Sequence, residues 1–499
     1  MTKQPTDDIT LPIDLPSEYA VTEMPSSNSY DAVVVGSGPN GLSAAIVLAQ
    51  AGKSVLVVEA KDTVGGGMRS AELTLPGFVH DVCSTAYPLG AGSPFFNSLP
   101  LAEHGMEWVH PTAPVSHPFD DGTTAVLHRS VTETADGLDS DAEAYRKLMG
   151  TLVTGWDDTV EYLLSPFRTM PSHPLAMARF GLSGIRSVES VAQSRFEDEP
   201  ARALFAGIGA HSMLPLDRPS TAAVGLVLSI AGHAVGWPFA RGGAQSIAQA
   251  LASYLESIGG EIVTNWRIES LGELPRSRAV LCDISPAQLL EITGDRLGGR
   301  YRRRLESYRY GVGVYKVDFA LGGPIPWKYP ATAWGGTVHV GGTLAEIAEA
   351  EAAVWEGKVP ERPFLLVAQP SLFDDSRAPD GKHTVWAYTH VPRGSTFDVT
   401  GRIEAQIERF APGFRDRILA KHVMTQSALQ AYNPNYIGGD INGGVQDFRQ
   451  TFARPMLRWN PYSTPVEGLY LCSASTPPGG GVHGMCGYHA ARSALREVF

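Results

Sequence analysis

The sequence predicts an α/β protein in which the strands of one domain come from the beginning, middle and end of the chain. Three observations predict this fold class. Strand and helix patterns alternate over residues 30–60, short apolar strands recur near residues 280 and 470, and the segments between them are predicted as one helical and one strand-rich insert. Alternating strands and helices are typical of parallel strands joined by helical connections.

A strand–helix–strand unit opens the patterned part of the chain. Residues 31–35 form a short apolar strand, and a helix rich in alanine and leucine is predicted over 42–51. A second apolar strand, over 54–58, ends in Glu59. This order predicts a βαβ unit.

Three glycines connect the first strand to the helix with the spacing G-x-G-x-x-G. Gly36 permits the sharp turn, Gly38 leaves the backbone open to a pyrophosphate, and Gly41 lets the helix pack closely on the sheet. The N–H groups at the helix N-terminus favour an anion. Glu59 can accept hydrogen bonds from both hydroxyls of an adenosine ribose and disfavours a 2′-phosphate. The unit therefore predicts a dinucleotide site that disfavours NADP.

The composition is that of a globular protein with two or three domains: 499 residues, of which 43% are hydrophobic and 18% charged. The net charge of −12 argues against a nucleic-acid partner, because there is no basic surplus to meet phosphates. Cys83, Cys282, Cys472 and Cys486 include no C-x-x-C pair, so neither a redox dithiol nor a metal site is predicted. Scattered cysteines are typical of free thiols in a reducing compartment.

Two segments bear on localisation. Residues 1–29 are acidic and lack the apolar core of a signal peptide, so we expect an arm that is flexible or wrapped over the surface of a cytoplasmic protein. Residues 220–240 are almost free of charge but break at Gly236-Trp-Pro. A core helix that ends in a turn explains this segment better than a spanning helix. An apolar substrate wall or a peripheral membrane contact is also compatible with it.

The rest of the chain continues the alternation of helix and strand patterns. Helices are predicted over 142–156, 200–213, 220–235, 245–258, 402–410 and 487–497, and strands over 261–264, 279–283, 310–321, 364–368, 383–390 and 468–472.

Four motifs together resemble those of one family. They are Gly36-Ser-Gly-Pro-Asn-Gly41 with Glu59, the turn Gly65-Gly-Gly-Met-Arg69, the central Gly236-Trp-Pro with Arg241-Gly-Gly243, and the terminal Pro478-Gly-Gly-Gly-Val-His-Gly484. From about residue 30 to its end, the chain resembles the FAD-dependent phytoene desaturase-like oxidoreductases, a branch of the flavin amine oxidase superfamily. Within that branch it is most similar to the pyridine nucleotide-disulfide oxidoreductase domain-containing protein 2 group, although the disulfide motif is absent.

The resemblance implies a discontinuous FAD-binding Rossmann-like domain of the glutathione reductase type, with an inserted substrate domain made of a mixed sheet and helices. The FAD-binding domain is expected over residues 30–110, 235–300 and 430–499. The substrate domain is expected over residues 111–234 and 301–429.

The resemblance also implies an extended FAD, bound without a covalent link. The first glycine turn and Glu59 would hold the ADP half, Arg69 and its turn would lie along the pyrophosphate and flavin, and the C-terminal loop would cover the ribityl chain and ring. An acidic residue that the family often carries near Ser473–Ser475 is missing, and Ser475 could serve instead. The expected cofactor-binding residues are Gly36, Ser37, Gly38, Pro39, Asn40, Gly41, Glu59, Ala60, Gly66, Gly67, Met68, Arg69, Ile268, Ser475, Val482 and His483.

No catalytic triad or carboxylate pair is evident, and in this family the flavin carries the reaction by accepting a hydride at N5. Lys316 matches a strand lysine that holds a water at N5 in the amine oxidases, so it is one catalytic candidate; a solvated strand lysine is the alternative. His483 could donate to the flavin O2 edge or move a proton. A histidine that packs or bonds the backbone is the alternative.

The predicted activity is desaturation or dehydrogenation of a hydrophobic polyene, isoprenoid or acyl-type substrate. Gly480 or Gly481 stands where amine oxidases place an aromatic residue, which leaves space for a bulky molecule. A flavin-dependent isomerase or saturase, an amine oxidase and a non-catalytic lipid-escort protein are alternatives. The single dinucleotide motif predicts that electrons pass to oxygen, a quinone or a carrier protein. Candidate pocket residues are His233, Trp237, Phe239, Tyr432 and Tyr436.

Overall fold

The computed structural model describes residues 25–166 and 173–499. Most of the arm expected over residues 1–29 therefore lies outside the described residues. At the N-terminal end of the described residues, the backbone N–H of Ser26 donates to the Glu261 side chain at 2.7 Å, and the first strand begins at Ser29. The last residues before the βαβ unit are thus attached to the sheet edge.

The strands are numbered in chain order. They are β1 (Ser29–Val35), β2 (Val55–Val58), β3 (Ser70–Glu72), β4 (Val79–Asp81), β5 (Trp108–Val109), β6 (Ala113–Pro118), β7 (Thr124–Leu127), β8 (Phe239–Ala240), β9 (Glu261–Val263), β10 (Arg276–Cys282), β11 (Gly313–Leu321), β12 (Gly335–Val340), β13 (Leu365–Ala368), β14 (His383–Val391), β15 (Ile418–Met424) and β16 (Leu469–Leu471).

The α-helices are numbered in the same way. They are α1 (Pro39–Gln50), α2 (Pro88–Ala91), α3 (Pro94–Asn97), α4 (Val131–Asp136), α5 (Ala142–Thr154), α6 (Trp156–Leu163), α7 (Pro174–Gly184), α8 (Val188–Arg195), α9 (Glu199–Gly209), α10 (Thr221–Ala234), α11 (Gln245–Ser257), α12 (Pro286–Thr293), α13 (Gly299–Glu306), α14 (Leu344–Trp355), α15 (Thr400–Phe410), α16 (Gln426–Tyr432), α17 (Phe448–Phe452) and α18 (Met485–Glu497).

A parallel five-stranded sheet carries the βαβ unit, in the order β16-β10-β1-β2-β9. Alternate residues of β1 face opposite sides: Ala32 and Val34 pack towards α1, α11 and α18, whereas Val33 and Val35 pack towards α12 and α13. Burial on both faces explains why the strands are nearly continuous apolar runs. The carboxyl ends of all five strands meet at one edge, where a nucleotide is expected in such a sheet.

A mixed seven-stranded sheet forms the second layer, in the order β15-β11-β14-β13-β12-β6-β7. Neighbours are antiparallel except β6 and β12, which are parallel. Along β11, Val317 and Phe319 pack with α15 on one face, whereas Val314, Lys316 and Asp318 point to the opposite face. This alternation gives the sheet one closed apolar face and one face available to a site.

The helical insert covers part of that second face. Helix α10 packs against α9 and α7, and most of its residues are buried. No helix in the described residues is both long enough and apolar enough to cross a membrane. The interpretation of residues 220–240 as a core helix ending in a turn therefore agrees with the structure, where Gly236 follows α10 with a φ of +88°.

The predicted α/β class with a mixed-sheet insert is confirmed. The domain boundaries stay a prediction; the strands of the five-stranded sheet lie within 29–58, 261–282 and 469–471, and those of the larger sheet within 113–127 and 313–424. Eight strands and eleven helices of the described residues had no predicted counterpart: β3 to β8, β12 and β15, and α2 to α4, α6 to α8, α12 to α14, α16 and α17. Strand β12 begins with two glycines, which sequence patterns count against a strand. At Gly335 a glycine is needed because β12 packs closely on β6: a Cβ there would lie 2.7 Å from the backbone nitrogen of Ser116.

Candidate functional site

A cavity of about 800 Å³ lies between the carboxyl edge of the five-stranded sheet and the open face of the seven-stranded sheet. Its size falls in the range typical of small-molecule sites. One end is lined by Gly38, Gly66 and Asp283, and the other by side chains of α7, α10 and the larger sheet, including Lys316 and Tyr388. The cavity therefore joins the predicted dinucleotide site to a largely apolar chamber.

Two glycine turns interlock at the dinucleotide end. A Cβ at Gly41 would lie 2.0 Å from the carbonyl oxygen of Gly36, and a Cβ at Gly66 would lie 2.9 Å from the Cα of Gly38. The N-cap of α1, Gly38, has no side chain to cap the helix, and Asn40 reaches the cavity with its buried Oδ1 unpartnered in the described part of the chain. A close backbone surface at a helix N-terminus fits the diphosphate of a dinucleotide.

Asp283 also lies at this helix N-terminus, and sequence reasoning did not select it. Its Oδ2 accepts a hydrogen bond from the backbone N–H of Gly41 at 2.8 Å and would lie 2.6 Å from a Cβ at Gly38. Burial raises the pKa of Asp283 to about 7, and Glu59 adds to the rise, while the Gly41 N–H opposes it. The only available signal was its position at the end of a predicted strand, where sheet ligands collect.

Glu59 and Arg69 lie behind the turns rather than on the cavity wall. The Glu59 carboxylate accepts hydrogen bonds from the backbone N–H groups of Ser37 and Lys61, each at 2.9 Å, and pairs with Arg69 at 3.2 Å. Arg69 donates to the carbonyl oxygens of Thr63 at 2.6 Å and of Gly66 at 3.0 Å. Arg69 thus fixes the second glycine turn, and its predicted contact with a pyrophosphate stays a prediction.

The remaining expected cofactor residues fall into two groups. In the first group, Met68 and Ile268 are buried in core clusters and Ala60, just after β2, is half-buried; close to Ile268, the backbone N–H of Trp266 donates to the Glu59 carbonyl at 2.9 Å. Pro39, Gly67, Ser475 and Val482 line the cavity.

His483 lines the cavity with both ring nitrogens engaged. Its Nδ1 accepts from the backbone N–H of Met485 at 3.0 Å, and the ring also bonds the backbone of Gly479 and Gly480. Burial lowers the pKa of His483 to about 4, so the imidazole is neutral. These contacts favour the interpretation that His483 shapes the glycine loop.

The register of the larger sheet aligns four side chains on the face of the sheet that borders the chamber. Lys316 lies opposite Tyr388, Tyr388 opposite Leu366, and Leu366 opposite His339, so these four side chains form one row across β11, β14, β13 and β12. Trp386 stands one pleat away on β14 and also lines the cavity. The alternation of Trp386 and Tyr388 in a predicted strand was a signal that could have identified both residues.

Lys316 belongs to a buried charged cluster. Its ammonium pairs with Asp318, and both side chains are almost fully buried. His80 and His422 flank the same carboxylate at 3.7 and 3.6 Å. Although burial alone would raise it, the charge of Lys316 and the bonds to its neighbours hold the pKa of Asp318 below its usual value. The alternative of a solvated strand lysine is therefore wrong.

The candidate pocket residues divide in the structure. Trp237 and Tyr436 line the cavity. His233 instead bonds Tyr145 at 2.8 Å within the helical insert, Phe239 packs in a small separate core, and Tyr432 lies under the ammonium of Lys61.

Comparisons with known proteins agree with this geometry. Residues 34–99 match the model of the NAD(P)-binding Rossmann-like domain family. Pyridine nucleotide-disulfide oxidoreductase domain-containing protein 2 of Rattus norvegicus is 27% identical over 94% of each chain. The neurosporene-forming phytoene desaturase of Rhodobacter capsulatus is 25% identical over 91% of this chain and 92% of its own.

These proteins are homologues of the chain. The expected resemblance is therefore confirmed. Among solved structures, wild-type putrescine oxidase bound to putrescine superposes with a TM-score of 0.59 at 18% identity, over 94% of this chain and 98% of its own. The solved structure shows a shared fold, and the homologues support FAD as the cofactor, as the sequence predicts.

Proposed function

We propose that the chain is an FAD-dependent oxidoreductase that desaturates or dehydrogenates a hydrophobic molecule of the polyene, isoprenoid or acyl type. The observation that carries this proposal is one continuous cavity, which runs from the interlocked glycine turns at Gly38 and Gly66 past the buried Lys316 into an apolar chamber. Bound FAD would supply a hydride acceptor at its N5 atom.

The chain's own residues hold and enclose the substrate. Trp237, Trp386 and Tyr388, with apolar residues of α7 and α10, wall the chamber and exclude water from the reacting carbon–hydrogen bond. Lys316 lines the cavity, and its buried ammonium is paired with Asp318. This pair can orient a water molecule or polarise an acceptor without leaving an unpaired buried charge.

An amine oxidase is the second candidate, because putrescine oxidase shares the fold. A protonated amine needs a carboxylate or an aromatic cage in its pocket. Among the described residues that line the cavity, the only carboxylate is Asp283, at the dinucleotide end. The aromatic side chains of the wall, such as Trp237 and Trp386, come from other elements. Gly480 and Gly481 leave the C-terminal loop without a phenylalanine, tyrosine or tryptophan, which favours the apolar substrate.

A flavin-dependent isomerase or saturase would use the same chamber and differ only in starting from reduced FAD. A non-catalytic lipid escort would need the chamber but no flavin. Electrons from a dehydrogenation would leave to oxygen, a quinone or a carrier protein, since the sequence shows one dinucleotide motif.

A peripheral membrane contact fits the substrate class. Leu175, Leu182 and Ile185 of the α7 region are 76%, 72% and 59% exposed, while Phe180 of the same helix lines the cavity. An apolar surface beside a cavity mouth is typical of proteins that take ligands from a lipid phase. Replacing Leu175 and Leu182 by Glu should reduce co-flotation with phosphatidylcholine vesicles, whereas Phe397→Glu, on another exposed apolar residue, should leave it unchanged. Equal flotation of all three proteins would contradict the contact.

Anaerobic flavin bleaching tests the activity. The purified, FAD-loaded protein is mixed with polyenes, acyl compounds and amines, and the loss of flavin absorbance is followed. Bleaching by the apolar compounds is the expected result. Bleaching by amines alone would favour the amine oxidase, and a colourless protein that takes up no FAD would leave the lipid escort.

A further inference from the structure

A pair of histidines stands in the otherwise apolar end of the chamber. Nε2 of His211 lies 3.0 Å from Nε2 of His339. His339 is fully buried on β12, whereas His211 follows α9 and is partly exposed, with its ring on the cavity wall. The backbone makes room for this pair, because a Cβ at Gly207 would lie 2.8 Å from Nδ1 of His339.

Both imidazoles are neutral. Burial lowers the pKa of His211 to about 3, and it also lowers the pKa of His339 well below the usual value. His211 is partly exposed, and it lines the cavity. A neutral imidazole has one nitrogen that donates and one that accepts a hydrogen bond.

The contact between the two Nε2 atoms leaves Nδ1 of His211 for a ligand. One ring must donate and the other accept, so Nδ1 of His211 accepts when its Nε2 donates, and donates when its Nε2 accepts. Nδ1 of His339 is buried without a hydrogen-bond partner in the described part of the chain, so neither tautomer of the pair is fixed from behind. The pair can therefore meet a donor or an acceptor on the ligand.

We propose that His211, backed by His339, is a subsite for a neutral hydroxyl or carbonyl oxygen on the substrate. The inference rests on the proposed function and narrows its substrate class to apolar chains with one polar oxygen. The row from Lys316 through Tyr388 and Leu366 to His339 crosses three strand spacings, which amount to roughly 14 Å. The polar oxygen, bound to His211 beside His339, would therefore lie well away from Lys316, at the far end of the substrate from the reacting bond.

A charged end group does not suit this subsite. Neighbouring wall residues are apolar or uncharged, among them Met213, Leu228 and Trp237, whose indole N–H is already bonded to Thr337 at 3.0 Å. An ammonium or a carboxylate would be buried there without a counter-charge, which is costly. A hydroxyl or ketone needs only the hydrogen bond that Nδ1 offers.

The experiment compares chains of equal length that end in a methyl, hydroxyl, ketone, carboxylate or ammonium group, with the purified FAD-loaded protein. Dissociation constants are read from the change in flavin absorbance. We expect the hydroxyl and ketone forms to bind roughly three- to tenfold more tightly than the methyl form. A length series should show this preference at one chain length and lose it for shorter chains.

Three variants test the residue. His211→Leu should abolish the preference for an oxygen, and His211→Gln, which keeps a donor and an acceptor, should restore part of it. His233→Gln, which alters a buried histidine outside the cavity wall, should keep the preference. Thermal melting and FAD content establish that each variant is folded.

The outcomes separate this subsite from the proposed activity. If the wild-type protein binds and is bleached by the methyl-ended chain but shows no preference for an oxygen, the subsite is wrong and the activity stands. The same holds if His211→Leu keeps the preference, or if the charged chains bind best. If no chain binds or bleaches the flavin, the proposed activity fails as well.

Discussion

At the scale of single residues, Asp283 places a carboxyl group where the fold expects a diphosphate. The burial that raises its pKa to about 7 keeps a large fraction of the group protonated near neutral pH. A protonated carboxyl can stand beside a diphosphate, whereas a carboxylate repels it. FAD binding should therefore weaken as the pH rises through about 7, because the proton of Asp283 is then lost.

Asp283→Asn tests this conclusion. The pKa of the folded chain lies above the unfolded value near 4, so the stability contributed by protonation is complete below pH 4 and is lost as the pH rises through about 7. The variant should exceed the wild type in stability by about 1 kcal/mol at pH 5 and by at most about 4 kcal/mol at pH 8, where it should also bind FAD more tightly. Melting temperatures and FAD titrations at both pH values measure this.

Asp440→Asn is the matched control for the FAD arm. Burial also raises the pKa of Asp440, but its carboxylate bonds the backbone N–H of Gly311, and it does not line the cavity. The Asp440→Asn variant should bind FAD with the same affinity as the wild type. A wild-type protein whose FAD affinity is the same at pH 5 and pH 8 would contradict the role of Asp283.

A double-mutant cycle can measure how strongly the ion pair of Lys316 and Asp318 stabilises the fold. Asp318→Asn leaves a buried ammonium without its partner and should destabilise the fold by about 3–5 kcal/mol. Lys316→Met combined with Asp318→Asn removes both charges and should recover much of that loss. Melting temperatures of the two single variants and the double variant measure the coupling; additive losses would show that the pair does not act as a unit.

The sequence identified Lys316 but not its partners, and the reason is physical. Asp318 is two residues away on the same face of β11, which a strand pattern can predict. His80 and His422 lie on β4 and β15, more than 90 residues away in each direction. The register of β11 with β15 places His422 beside Asp318, and the packing of the β3–β4 hairpin against the larger sheet places His80 there. Register is fixed by tertiary packing, which a single sequence does not contain.

At the scale of elements, the interlocked turns were the most predictable part of the site. The spacing of the first three glycines, the helix after them and Glu59 are local features, and each lies where the pattern placed it. The larger sheet was less predictable, since β6, β7, β12 and β15 are short or contain glycine, proline or charged residues. Apart from the local β6–β7 hairpin, their pairings are long-range, so β6, β12 and β15 depend on partners elsewhere in the chain.

Gly66→Ala tests the interlocking of the turns. Gly66 has a φ of +58°, and its Cβ would lie 2.9 Å from the Cα of Gly38, so the substitution both strains the backbone and pushes the two turns apart. We expect a loss of stability of about 1–3 kcal/mol together with loss of bound FAD. Gly52→Ala is a matched control, because Gly52 also has a positive φ, +74°, but open space around its Cβ position. Gly52→Ala should lose stability only and keep its FAD; the same FAD loss in both variants would contradict the interlocking.

At the scale of the whole molecule, the proposed FAD site joins distant parts of the chain. The first glycine turn, Asp283 and the C-terminal loop at Ser475 and His483 all border the same cavity. A ligand that binds only the folded chain stabilises it by RT ln(1 + [L]/Kd), which is about 2.7 kcal/mol at a hundredfold excess over Kd. Added FAD should therefore raise the melting temperature of FAD-depleted protein in a concentration-dependent way.

Glu59→Ala should weaken that stabilisation. The substitution removes the expected acceptor for the adenosine ribose, and it also frees the N–H of Ser37 and the guanidinium of Arg69, which together hold the two turns against each other. More FAD should then be needed for the same rise in melting temperature, and FAD should be lost on dialysis. Glu261→Ala is the control, because Glu261 bonds Ser26 and Tyr30 at the edge of the same sheet and lies away from the turns. If Glu59→Ala and Glu261→Ala retain FAD equally, Glu59 does not hold the cofactor.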